Sequence, residues 1–222
     1  MRTYEGEVQE ILLSGGKRAA RLHCPPQAIP APGKYLLADD GSGTVATAVF
    51  LAMSTPSGFI AAPPLPLHWS PGLPLKLRGP LGRGFRLPAD LQRLALVALG
   101  ETAARLLPLV GLAQNAALAL FADCPLPPLP YSLEAFPLKS LPEFLDWADF
   151  LAIDLPLQDL STLRQLLGPP ESLRQAGQAL LLTPMPCGSL AACGVCAIPT
   201  HKGKWLLACE DGPVIDLHDL EW

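Results

Sequence analysis

Four of the six cysteines in this chain of 222 residues lie in one segment near the C-terminus. Their spacing is C-x5-C-x2-C-x12-C, at Cys187, Cys193, Cys196 and Cys209. Mostly small residues, Gly188 and Gly194 among them, separate the first three cysteines, so the backbone can fold closely around inorganic sulfide and direct its N–H groups at it. This is the plant-type ferredoxin spacing with one extra residue in the first gap, and it predicts a 2Fe–2S cluster.

Structural zinc and disulfide bonds are the alternative uses of these cysteines. A zinc site made of four cysteines normally has two C-x2-C pairs, whereas this segment has one. The polar start of the chain, MRTYEGEVQE, has no apolar core of a signal peptide, which indicates a cytoplasmic, reducing compartment and disfavours disulfides. Cys24 and Cys124 each stand alone in an apolar run, and we expect them to act as small hydrophobic residues.

The composition is that of a globular chain and excludes several classes of function. Half of the residues are hydrophobic and 16% are charged, unlike a disordered protein. The net charge of −4 leaves no surplus of Lys and Arg to neutralise phosphates, so we expect no nucleic-acid partner. The longest apolar stretch, Ala103–Ala122, is interrupted by Arg105, Pro108 and two amide side chains, so we expect no membrane span.

The first ninety residues have the pattern of a small antiparallel barrel, which we assign to residues 1–92. Gly, Pro, Asp and Ser clusters separate short segments that alternate or are rich in β-branched and aromatic residues. These segments read EGEVQEILL, KRAARLHC, GKYLLAD, GTVATAVFLAM and GFIAA. The prolines of PPLPLHWSPGLP are expected in turns and at strand edges.

Strand and helix patterns then alternate over residues 93–180, which predicts a small parallel sheet of the nucleotide-binding kind. The expected strands are Leu94–Leu99, Ala117–Ala122, FLAID from Phe150 and QALLLTPM from Gln178. The expected helices cover ETAARLLPLVGLAQ (residues 101–114), Leu141–Ala148 and Asp159–Leu167. Residues 181–222 are predicted to form the cluster subdomain, in which the strand KWLLAC delivers Cys209 after a turn at His201–Gly203.

Three stretches carry a resemblance to a known family. MPCGSLAACGVC and CEDGPV are similar to its cluster motif, GPLGRGFRLP from Gly79 to the loop that closes its barrel, and PGKYLLA from Pro32 to the start of a barrel strand. On these motifs the chain resembles the electron-transfer subunit of dihydroorotate dehydrogenase, in the ferredoxin-reductase-like flavoprotein superfamily. The resemblance implies a flavin-binding barrel, a nucleotide-binding α/β domain, and a C-terminal 2Fe–2S subdomain that links the chain to a partner subunit.

The flavin and nicotinamide motifs of that family are degraded here. The resemblance implies that FAD would contact the barrel at Gly79, Pro80, Leu81 and Gly82. However, VATAVFLA replaces the family's Arg-Pro-x-Ser stretch, so one charge-assisted contact to the FAD pyrophosphate is missing.

In the nucleotide domain, Glu101, Thr102 and Arg105 stand where the family has the glycines of a phosphate-binding turn. IDLP at Ile153–Pro156 replaces the family's Cys-Gly-Pro loop. We therefore treat FAD as possible and do not expect NAD to bind in the usual way.

These features predict an electron-transfer subunit that relays electrons through a 2Fe–2S cluster to or from a partner oxidoreductase. One alternative is an FAD-dependent NAD(P)H reductase with atypical nucleotide contacts, and another is a non-redox interaction subunit with a four-cysteine zinc site. We expect His201 and Lys202 to be exposed turn residues, with tuning of the cluster potential or contact with a partner as the alternative. The Trp205–Leu206 strand is expected to pack the subdomain against the rest of the chain. The four histidines are scattered, so we expect no metal ligation by them.

Overall fold

The computed structural model describes residues 2–43, 45–201 and 203–222. Thr44, in the predicted strand GTVATAVFLAM, and Lys202, in the predicted turn, lie outside the described residues. An antiparallel barrel and a mixed, mainly parallel sheet form the two larger parts, which confirms the predicted fold class. Among the described residues, no helix has the length and hydropathy needed to cross a bilayer.

Six antiparallel strands close the barrel in the order β1-β2-β5-β4-β3-β6. Their bounds are Thr3–Ser14 (β1), Lys17–His23 (β2), Tyr35–Asp39 (β3), Thr47–Thr55 (β4), Gly58–Ala61 (β5) and Pro74–Leu81 (β6). Alternate side chains point inwards, as the pleat of a strand requires, and Leu36, Phe59 and Leu77 are fully buried in the barrel core. The five segments predicted as strands all contribute strands.

Strand β6 was not predicted, although its pattern is regular. Leu75 and Leu77 are buried, while Lys76 between them is exposed. The strand has a proline near each end, Pro74 and Pro80, and prolines are more typical of turns and strand edges, so the sequence did not indicate a strand here. The strand continues through Gly79, Pro80 and Leu81, so the predicted turn begins only at Gly82.

The second sheet has six strands, of which five run parallel. Its order is β14-β11-β10-β7-β8-β9, with bounds Arg93–Ala98 (β7), Ala117–Ala122 (β8), Leu133–Phe136 (β9), Phe150–Pro156 (β10), Ala176–Leu182 (β11) and Val214–Asp216 (β14). Strand β14 pairs antiparallel with β11, so the segment after the last cysteine is tied into this sheet. A two-stranded hairpin of Ala197–Pro199 (β12) and Trp205–Leu207 (β13) completes the strands.

The helices are shorter than the sequence pattern suggested. They span Pro108–Leu112 (α1), Leu141–Phe144 (α2) and Leu160–Leu167 (α3). The helix predicted over 101–114 is wrong in its first half, because Pro108 has no N–H to bond to the carbonyl of Ala104 and the helix begins at that proline. The helix predicted at Leu141–Ala148 ends early, and α3 is confirmed. Strands β9 and β14 are too short to have been recognised.

A buried ion pair joins the barrel to the parallel sheet. The Arg105 Nε–H donates to Asp154 Oδ2 over 2.8 Å, and Arg105 Nη1 donates to the Pro63 carbonyl over 2.5 Å. Arg105 is 3% exposed and Asp154 is fully buried. Burial raises the pKa of Asp154, and the guanidinium of Arg105 opposes that change. Arg105 thus contacts both halves of the fold.

Replacing Arg105 should destabilise the protein strongly, because the Asp154 carboxylate would remain buried without its partner. We expect R105M to lower the free energy of unfolding by about 3–5 kcal/mol in urea denaturation. The matched control is K17M, which breaks the exposed Lys17–Glu101 pair at 2.9 Å and should change the free energy of unfolding far less than R105M does. Equal stabilities of the two variants would contradict this role of Arg105.

Candidate metal centre

The loop that carries the first three cysteines has an unusual backbone. Gly188 (φ 63°), Ser189 (φ 61°), Ala191 (φ 55°) and Gly194 (φ 69°) all lie in the left-handed region. Glycine adopts this region readily, but Ser189 and Ala191 do so at a cost and only where their surroundings impose it. The sequence predicted this freedom at the two glycines and missed it at the two other residues.

This backbone places N–H groups around the first cysteine. Hydrogen bonds from the N–H groups of Ala192 and Leu190, together with the nearby Cys193 thiol, lower the pKa of Cys187 to about 6. Donors directed at a sulfur favour its thiolate form. The thiolate is the form that binds metal.

The third and fourth cysteines meet through the β12–β13 hairpin. Ala197 pairs with Leu207, and the Ala208 N–H donates to the Cys196 carbonyl over 3.0 Å. Cys196 Sγ and Cys209 Sγ are therefore 3.3 Å apart, with exposures of 1% and 7%. Burial and the adjacent Cys196 thiol raise the pKa of Cys209 to about 11.

The four sulfurs lie as two pairs, Cys187 with Cys193 and Cys196 with Cys209. The Cys187 thiol also lies close enough to Cys209 to affect its ionisation, so the two pairs are neighbours. In the described part of the chain, no three His, Cys, Asp or Glu side chains converge as they would around a single metal ion. Two adjacent thiol pairs fit a two-iron cluster, in which four cysteines supply two sulfurs to each iron.

Two barrel side chains hold this loop, and the sequence singled out neither. The Arg78 guanidinium donates to the Gly188 carbonyl, and the Tyr35 hydroxyl is 2.8 Å from Ser189 Oγ. Tyr35 lies on β3 and Arg78 on the neighbouring strand β6. No local pattern marks them, because the contacts join residues more than a hundred positions apart.

The residues predicted to contact FAD lie at the end of β6, against the segment that follows Cys209. A Cβ at Gly82 would lie 2.6 Å from both the Gly212 carbonyl oxygen and Pro213 Cδ. The Arg83 N–H donates to the Gly212 carbonyl over 2.5 Å, and the Arg83 guanidinium lies 3.9 Å from Asp211. In the structure, this loop therefore supports the cysteine segment. A contact with FAD at Gly79, Pro80, Leu81 and Gly82 remains a prediction.

A cleft of about 650 Å³ lies between the barrel and α1. Apolar side chains such as Leu51, Met53 and Leu107 form most of its wall, together with a proline-rich loop. None of the described residues that line it carries a positive charge. The cleft can accept a flat apolar group, but it offers no charged partner for a pyrophosphate.

A buried ion pair lies at the edge where an open α/β sheet binds a nucleotide. Such sheets bind ligands beyond the carboxyl ends of their parallel strands. Here Asp154 lies near the carboxyl end of β10, and its partner Arg105 lies in the connection that follows β7. The guanidinium is already bound to Asp154 and Pro63, so it is not available to a phosphate. The described residues do not fit NAD bound in the usual way.

The other residues that the sequence analysis singled out differ in how well their observed burial agrees with expectation. Cys24 is buried, as expected, whereas Cys124 is half-buried. Trp205 is 67% exposed, so the expectation that it packs the subdomain against the rest of the chain is wrong, while Leu206 is half-buried. His201 is exposed, and Lys202 lies outside the described residues.

Comparison with known proteins identifies the cysteine segment. Residues 183–221 match the family model for the iron-sulfur cluster binding domain of dihydroorotate dehydrogenase B. This match contains all four cysteines and bears out the prediction of an iron–sulfur cofactor. A search of the curated proteins found no match.

Solved structures resemble the fold over most of the chain. An NADH-dependent reduced ferredoxin-NADP oxidoreductase, studied for flavin-based electron bifurcation, superposes with a TM-score of 0.73 at 16% identity, covering 98% of this chain and 90% of its own. The ferredoxin reductase in carbazole 1,9a-dioxygenase gives 0.55 at 19% identity, with coverages of 75% and 65%.

Phthalate dioxygenase reductase, described as a modular structure for electron transfer from pyridine nucleotides to [2Fe-2S], gives a TM-score of 0.51 at 13% identity, with coverages of 93% and 77%. At these identities the likeness establishes the fold alone, which is ferredoxin-reductase-like. The cysteine segment of this chain matches the iron–sulfur domain of dihydroorotate dehydrogenase B. The chain is thus an iron–sulfur protein similar to the electron-transfer subunit of that enzyme.

Proposed function

We propose that this chain is an electron-transfer subunit that relays electrons through a 2Fe–2S cluster held by Cys187, Cys193, Cys196 and Cys209. The observation that carries the proposal is the meeting of two thiol pairs in one small site. The backbone N–H groups around Cys187 stabilise its thiolate, and the hairpin fixes the Cys196–Cys209 pair. When bound, the cluster would supply one-electron chemistry.

The three regions take different roles in this proposal. The barrel (residues 1–92) and the α/β region (93–180) serve as scaffold, and residues 181–222 carry the cluster. Their own interactions support the scaffold role, because Arg105 fills the nucleotide edge of the sheet and the end of β6 supports the cysteine segment. Free cysteines throughout agree with a reducing compartment such as the cytoplasm.

The partner that we propose is an oxidoreductase subunit similar to the catalytic subunit of dihydroorotate dehydrogenase. The cysteine loop offers a surface for it, since Leu190 is 64% exposed and Val195 is 52% exposed beside the cysteines. Cys193 itself is exposed, so an electron acceptor can come close to the site. Exposed apolar side chains grouped around a functional site are typical of interaction surfaces.

Reduction and reoxidation of the purified protein test the relay. Purified anaerobically, the protein should be brown, lose its visible absorbance on addition of dithionite and regain it on addition of a one-electron acceptor such as cytochrome c. A colourless protein that transfers no electrons would contradict the proposal. One zinc per chain would then favour the alternative of a non-redox subunit.

Substitution of single cysteines tests the ligand assignment. We expect alanine at Cys187, Cys193, Cys196 or Cys209 to abolish the 2Fe–2S absorbance, because no other thiol lies in the site. The matched controls are C24A and C124A, which should retain iron and sulfide at the wild-type level. Retention of the complete cluster in any of the four ligand variants would remove that cysteine from the set.

The second candidate function is an FAD-dependent NAD(P)H reductase. The apolar cleft between the barrel and α1 favours it, because an isoalloxazine ring needs such a surface. We expect the purified protein to contain less than one FAD per chain and its spectrum to be unchanged by NADH, because the described residues lack a phosphate cradle. Flavin bands that bleach with NADH would establish the reductase instead.

A further inference from the structure

We propose that Arg78 and Tyr35, two side chains of the barrel wall, are positioning residues for the cluster, and that Arg78 also raises its reduction potential. The inference rests on the function proposed above and extends it, since it gives the barrel a part in the redox chemistry. Neither residue belongs to the cysteine segment.

The alternation of the barrel strands directs both side chains outwards. Leu36 and Leu77 point into the barrel core, whereas their neighbours Tyr35 and Arg78 point away from it. Strands β3 and β6 are paired, with Leu37 opposite Arg78 and Tyr35 opposite Leu81, so the two outward side chains lie on neighbouring strands. The cysteine loop rests on this part of the wall.

Arg78 contacts the residue that follows the first cysteine. Its guanidinium donates to the carbonyl of Gly188, where the backbone has a φ of 63°. A Cβ at Gly188 would lie 2.8 Å from Arg78 Nη2, so a larger residue there would displace the end of the arginine side chain. Among the described residues, no carboxylate lies within ion-pair distance of Arg78. Its positive charge beside the loop is therefore not neutralised by a neighbour.

Tyr35 connects the two halves of the site. Its side chain is fully buried, and its hydroxyl lies 2.8 Å from Ser189 Oγ and 3.5 Å from the carbonyl oxygen of Cys209. Ser189 belongs to the loop of the first cysteines, whereas Cys209 comes from the segment after β13. Phe50 packs against the tyrosine ring with centroids 5.7 Å apart, so the hydroxyl is held in place.

These contacts have an electrostatic consequence. Reduction adds a negative charge to the site, and a nearby unpaired guanidinium stabilises that charge, more strongly in a partly buried setting than in water. Loss of the guanidinium should therefore make the cluster harder to reduce. Loss of the tyrosine hydroxyl should loosen the relative position of the two cysteine pairs.

The test measures the midpoint potential, the reduced-state EPR signal and the iron content of the full-length chain. We expect R78M to make reduction at least tenfold less favourable, about 59 mV for one electron, with iron retained. R78K should recover part of this loss, because it keeps the charge, and Y35F should alter the EPR signal. The control is R18M, which removes a guanidinium bound to the Trp69 carbonyl elsewhere in the barrel. It should change neither the midpoint potential nor the EPR signal.

Apo protein supplies a second readout that needs no cluster. If R78M or Y35F holds no iron, faster proteolysis at residues 188–195 with an unchanged melting temperature supports the positioning role. A lowered melting temperature in these variants would overturn the positioning role. Wild-type midpoint potentials in both variants, or an equal shift of the midpoint potential in R18M, would also overturn it. A wild-type protein that binds no iron would instead contradict the proposed function, and the proteolysis comparison would still test the contacts.

Discussion

The candidate centre depends on the docking of one strained loop against a preformed barrel wall. Left-handed backbone at Ser189 and Ala191 is unfavourable in isolation, so the loop keeps this shape only because outside contacts enforce it. Arg78 holds the carbonyl of Gly188 and Tyr35 holds Ser189. With the loop fixed, the N–H groups face Cys187, and the hairpin brings Cys209 to Cys196. The barrel therefore helps to shape the candidate metal centre.

Contacts within the chain occupy two places where the resemblance leads one to expect nucleotide contacts. Near the carboxyl ends of the parallel strands, Arg105 forms a buried pair with Asp154 and also donates to the Pro63 carbonyl. The end of β6 packs on Gly212 and Pro213 through Gly82. Both contacts join parts of the chain that are distant in sequence. They agree with a scaffold that positions one redox site.

Sequence reasoning worked where a local pattern reports a local structure. The cysteine spacing with Gly188 and Gly194 predicted the loop, and alternating or apolar runs predicted most strands of the barrel and the parallel sheet. Prediction from the sequence failed where contacts between distant residues determine the structure. The Arg78 and Tyr35 contacts join strands to a loop over a hundred residues away, and β14 forms only because β11 offers an edge. In the first half of the helix predicted over residues 101–114, before Pro108, the structure instead has turns, and these bury Arg105.

If four thiolates share two irons, the purified chain has a fixed content of iron and sulfide, which chemical analysis measures. Iron, acid-labile sulfide and zinc are measured on one anaerobic sample together with the protein concentration. We expect about two irons and about two sulfides per chain, with no zinc. One zinc per chain without sulfide would rule out the two-iron cluster.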